Sequence, residues 1–195
     1  MKKTLVSRIL LILLGLLVLV VLFAIISMIG RAIFSSEDSP DSPISDSPSL
    51  LTNTVDMSVE MTIRGPIVAD ENFQTIQFEI SSSKRQIARY SGYSLTEIDS
   101  STSDNTFRAY DEFIHALNHA GFTKGTASSN PIDTRGLCAT GKLYEFRVKQ
   151  SDETIQEFWT SSCKNVKGTS TADLKSIYHL FSVQLPESST ILTNF

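Results

Sequence analysis

Two groups of residues carry side chains able to do chemistry. Asp111, Glu112, His115 and His119 recur about one helical turn apart. Carboxylate and imidazole groups at i and i+4 share a helix face and can hold a metal ion. The histidines sit in His-Ala-Leu-Asn-His, without the intervening glutamate that a His-Glu-x-x-His protease uses as general base. The face they occupy turns away from the apolar stripe of the same helix, and a metal site needs an enclosing shell. We therefore read a solvated face, and keep Asp111, His115 and His119 as the metal candidates that the sequence offers.

Cys138 and Cys163 form the second group. A hairpin turn centred between Gln150 and Ser151 would set them opposite each other. Opposed Cβ atoms lie about 4.5–5.5 Å apart, close to what a disulfide needs. Metal binding needs more ligands than two thiolates, and the reactive Cys-x-x-Cys spacing is missing. A structural disulfide is the expectation, with buried free thiols as the alternative.

No other catalytic set assembles. Gly-x-Ser-x-Gly, P-loop and Gly-x-Gly-x-x-Gly patterns are absent. No catalytic residue is assigned, no cofactor is expected, and the chain is read as a non-enzyme. The alternative is an envelope enzyme with a helix-borne metal or acid/base site at His115 and His119. His179 falls on the solvent side of a late helix. Lys84, Arg85 and Arg89 make a small basic spot, read as a solvated strand edge. Phe158 and Trp159 point to opposite faces of one strand. One belongs to the core; Phe158 is the candidate partner contact, since aromatic residues are enriched in hot spots, with burial under a helix or loop as the alternative.

These residues need elements to position them. The 195 residues include 17 basic and 21 acidic ones, with 41% hydrophobic content. That excludes wholesale disorder and a strongly basic nucleic-acid binder. Residues 9–30 form an apolar run of 22 residues without a charge. At about 1.5 Å per residue it spans a hydrocarbon core of about 30 Å. Lys2, Lys3 and Arg8 precede it and only Arg31 follows closely, so the N-terminus stays cytoplasmic and the rest is exported. The run is too long for a cleaved signal peptide, and its exit is a poor cleavage site.

Residues 35–56 are rich in Ser, Pro and Asp, with five acidic residues and no basic one. Proline and like-charge repulsion extend such a stretch into a spacer. With Lys2, Lys3, Arg8 and Arg31 on the membrane side, thirteen basic residues face all 21 acidic ones in the exported part, a net of −8. That charge disfavours nucleic acid and an anionic bilayer surface.

Residues 57–186 read as an extracytoplasmic α+β domain. Alternation predicts strands at Met57–Ile63, Ile76–Ile80, Gln86–Tyr93, Gly136–Val148 and Thr154–Ser162. Tyr144, Phe146 and Val148 are expected to share a face with Ile155 and Trp159, with a turn over Lys149–Glu153. Ser94–Thr102 is polar and unassigned. Ser103 or Asp104 would cap a helix with the stripe Phe107, Tyr110, Ile114 and Leu117, ended by Gly121. Ser170 or Thr171 would cap a second, with Leu174, Ile177, Tyr178 and Phe181. Residues 187–195 read as a loose tail.

The expected fold is thus α+β: an N-terminal transmembrane helix (9–34) after a cytoplasmic start (1–8), a disordered linker, then a small antiparallel sheet with two helices packed on one face. This order resembles the general architecture of signal-anchored extracytoplasmic bacterial proteins. Type IV pilin-like proteins also join an apolar helix to a disulfide-bearing α+β head, but their Gly-Phe processing site and following glutamate are missing. The expected partners are the lipid bilayer, through residues 9–30, and a cell-envelope protein or ligand; nucleic acid is not among them.

Overall fold

A computed structural model describes Leu50, residues 56–193 and Phe195. The apolar run at 9–30 and all of the 35–56 spacer except Leu50 and Asp56 lie outside the described residues. Among those described, no helix is long and apolar enough to cross a membrane.

Six strands form one sheet: β1 (Met57–Arg64), β2 (Gln74–Ser81), β3 (Lys84–Ser91), β4 (Thr96–Asp104), β5 (Leu143–Gln150) and β6 (Glu153–Ser161). Their order is β4-β3-β2-β1-β5-β6, every neighbouring pair antiparallel. The helices are α1 (Phe107–Ala120), α2 (Leu174–Ser182) and a short α3 (Ser188–Thr193). The architecture is α+β.

Alternation decides the two faces. Val59, Met61, Ile63, Ile76, Phe78, Ile80, Phe146 and Val148 point to one side and are fully buried. Tyr110, Phe113, Ile114 and Leu117 of α1 and Ile177 and Phe181 of α2 cover them. Phe181 is the centre, with the rings of Phe113, Phe78 and Phe122 at 5.3, 5.9 and 5.9 Å. Leu50 also packs into this core.

The helix ends differ in detail from expectation. Thr106 caps α1, its side chain accepting from the Ala109 amide, because Ser103 and Asp104 belong to β4. Gly121 ends α1 in the left-handed conformation at φ 77°, which costs glycine nothing. Phe107, at the first position of α1, is 51% exposed, and Phe113 takes its place in the core. Asp173, not Ser170 or Thr171, caps α2. The stretch after Pro186 is no loose tail, since α3 buries Ile191 against the core.

The β5–β6 hairpin corrects the expected register. Ser151 and Asp152 form the turn with positive φ of 48° and 69°, the twist that suits a two-residue hairpin. A bulge then shifts the pairing between Val148 and Lys149. Phe146 therefore faces Phe158, and Glu145 faces Trp159. Phe158 lies in the core with no exposure, so it is not a surface contact for a partner. Trp159 turns to the other face, in a small cluster with Cys138 and Leu143.

Cys138 and Cys163 are joined in a disulfide, with Cα atoms 5.8 Å apart. They are not a cross-strand pair. Residues 135–140 form turns, and β5 begins only at Leu143. The bridge ties that turn segment to the chain leaving β6.

Candidate binding cleft

The face of the sheet away from the helices is polar yet substantially covered. The strand registers set Glu60 opposite Arg147 on one side and Glu157 opposite Arg147 on the other, with Glu145 two residues along β5. One guanidinium thus reaches three carboxylates. Its Nη1 donates to Glu60, Nη2 to Glu145 at 2.8 Å and Nε to Glu157 at 2.8 Å. Glu60, Glu145 and Glu157 are each buried. The carboxylates hold the Arg147 proton well above the usual arginine range, although burial alone would work the other way. Lys149 adds longer contacts to Glu60 and Glu79, at 3.7 and 3.8 Å.

The loop between α1 and β5 lies over this network and is fastened to it. Ser128 and Glu157 exchange both backbone hydrogen bonds. The Ile132 amide donates to Glu157 Oε2 at 2.9 Å, and the Thr134 hydroxyl donates to Glu145 Oε1 at 2.6 Å. Arg64 approaches the same Glu145 oxygen at 3.6 Å. Buried carboxylates therefore serve twice, neutralising Arg147 and orienting the loop.

A cleft of about 410 Å³ remains between the loop and the β3–β4 turn. Thr62, Thr75, Gln77 and Tyr90 floor it, and residues 132–135 form one wall. The opposite wall is aromatic: Phe73 and Tyr93 stack at 4.1 Å and 16°. Tyr93 is anchored at both ends, its hydroxyl donating to the Val68 carbonyl at 2.8 Å and its amide to Asp70 at 2.7 Å. Tyr93 remains 46% exposed, with Leu95 at 52% beside the cleft. A neighbouring lobe of about 280 Å³, reaching Ile67 and Cys138, shares the Phe73, Tyr93 and Arg64 walls.

Electrostatically the lining is closed on itself. Arg135 pairs with Asp133 through two contacts of 2.8 Å, and this bonding holds the Asp133 carboxyl down to about 2. Burial, followed by the nearby Glu97, Glu60 and Glu79, pushes the Tyr90 phenol up. Among the lining residues Thr75 carries a buried hydroxyl. It is 3% exposed, lines the cleft, and its hydroxyl has no hydrogen-bond partner among the described residues. A buried hydroxyl left unpaired costs free energy.

The residues singled out by sequence lie elsewhere. His115 and His119 are exposed on α1 and Asp111 is half-buried there. No group of three or more His, Cys, Asp or Glu side chains placed to hold a metal occurs among the described residues. His119 and His179 border an open groove between α1 and α2. Lys84, Arg85 and Arg89 are not on an edge, because β3 pairs with both β2 and β4. Arg85 bonds the carbonyls of Asp104 and Gln184, and Arg89 pairs with Asp99 at 3.7 Å.

Sequence reading missed Arg147, its three glutamates and Thr75. The signal was the second parity of β5: Glu145, Arg147 and Lys149 alternate with Tyr144, Phe146 and Val148. No protein-family model matches the chain, and comparison with curated proteins gives no significant match.

Proposed function

We propose that this chain is a single-pass membrane protein with a cytoplasmic N-terminus, whose exported α+β domain binds an envelope ligand in the cleft over the polar sheet face. The apolar run at 9–30 and its basic flank support the tether. The observation that carries the binding role is the pairing of a rigid, exposed Tyr93 ring with the buried, unpartnered Thr75 hydroxyl across one cleft. Rings held flat at a cavity mouth supply contact area at low entropic cost, and a few fixed polar groups supply orientation. The Arg147 network serves as the stiff floor. Its charges are committed to one another, so its part is positioning.

The test places a photo-crosslinking phenylalanine analogue at position 93 of the full chain in its native membrane, with the same analogue at Phe107 as control. The reading expects a discrete adduct from position 93, absent from position 107 and reduced by Thr75→Val. Equal adducts from both positions, or none from position 93, would contradict it.

A further inference from the structure

On the helix-covered side of the sheet, a second cavity of about 400 Å³ opens where β1 ends, β5 begins and α2 starts. It shares no residue with the cleft. Ile63, Leu174 and the Phe195 ring form its apolar surface, and Lys142, Lys175, Tyr144 and Tyr178 its polar one. The volume falls within the range of small-molecule sites, about 300–1,000 Å³.

The polar side is one-sided. It holds two ammonium groups and two phenols and no carboxylate side chain. None of the four groups makes a hydrogen bond or an ion pair within 4 Å with a described residue. The Lys142 ammonium stands 4.2 Å from the centroid of the Phe195 ring. Burial alone pushes its pKa down, with no neighbouring charge contributing. Lys175 is felt by the Asp173 carboxylate, but that group is committed to capping α2 through Lys175, Ser176 and the Ser176 hydroxyl. Burial pushes both phenols up, so they remain hydrogen-bond donors at neutral pH.

An ammonium carries three donors and no acceptor. The Lys142 ammonium, partly desolvated without a counter-charge, is stabilised by whatever anion enters. We propose that this cavity binds a small monocarboxylate bearing an aryl or alkyl group. Its carboxylate takes donors from Lys142, Lys175, Tyr144 and Tyr178, and its apolar part packs on Ile63, Leu174 and Phe195.

The probe is 3-phenylpropionate, titrated calorimetrically into the full chain in lipid nanodiscs, against its uncharged amide. The carboxylate binds saturably and the amide at least about tenfold more weakly, a difference of about 1.4 kcal/mol. Lys142→Met loses about the same factor and Lys142→Arg retains affinity. Tyr93→Ala, in the separate cleft, changes nothing here, so the two sites fail or succeed independently. Equal affinity for acid and amide overturns the proposal without any variant. So does the absence of saturable heat at millimolar probe, or unchanged affinity in a Lys142→Met protein with an unaltered thermal midpoint.

Discussion

Arg147 Nε and Glu157 Oε1 meet at 2.8 Å across β5 and β6, while the other oxygen of the same carboxylate holds the Ile132 amide at 2.9 Å. The pair thereby joins the sheet to the loop that walls the cleft. Removing the cation would leave buried Glu157 without a counter-charge, and Glu145 and Glu60 with only the longer contacts to Arg64 and Lys149. Arg147→Met is expected to cost roughly 3–5 kcal/mol, read as a shift in the urea midpoint. Arg147→Lys should recover only part of this, because a point charge cannot reach three acceptors as the planar guanidinium does. A Met variant within about 0.5 kcal/mol of wild type would mean that the network contributes little.

Phe158 and Phe107 make a second comparison. Phe158 has no exposure and faces Phe146, whereas Phe107 is half exposed at the start of α1. Phe158→Ala should destabilise by about 3–5 kcal/mol through lost burial and the cavity it leaves. Phe107→Ala should stay within about 0.5 kcal/mol. The reverse ranking in thermal or denaturant unfolding would restore the hairpin register that the residue pattern alone suggests.

Those two residues also show what was legible in the sequence. Helical spacing at Tyr110, Ile114 and Leu117, and at Leu174, Ile177 and Phe181, identified α1 and α2 because each buries one stripe. The disulfide was legible from the cysteine spacing. Its setting was not, because a single bulged residue reverses the facing of everything beyond it in a strand. β4 was invisible because Thr96–Asp104 lies at the edge of the sheet and has no buried residue to impose alternation. The Arg147 network was hidden for another reason. Glu60, Glu145 and Glu157 each look like ordinary solvent-facing strand residues, and only the β1–β5–β6 pairing gathers them.

Tyr110 predicts an alkaline limit. Its hydroxyl donates to the Met57 carbonyl at 2.9 Å, and burial pushes its pKa well above the ordinary value. A raised folded-state pKa leaves stability intact below the unfolded value, about 10, and drains it as pH climbs from there toward the folded value. Urea midpoints measured upward from neutrality should therefore stay level with respect to this group and fall above about pH 10. Tyr110→Phe should lose about 1 kcal/mol at neutral pH and show a shallower alkaline fall. Parallel curves for the two proteins would remove Tyr110 as the cause.

The Cys138–Cys163 bridge closes a loop of sequence separation 25. By the chain-entropy model this stabilises by about 3.5 kcal/mol. Reduction, or replacement of both cysteines by serine, should lower the denaturant midpoint accordingly. It should also loosen the turn segment that borders the second lobe of the cleft. Midpoints that coincide with and without reductant would show the bridge to be thermodynamically idle.

The membrane tether is best settled with a membrane-impermeant amine reagent on intact cells, followed by alkaline extraction of the membranes. An anchored, exported domain predicts that its lysines, among them Lys167 and Lys175, are modified without permeabilisation while the full-length chain stays in the pellet. Labelling that requires permeabilisation, or a product lacking residues 1–30 released to the supernatant, would contradict the account.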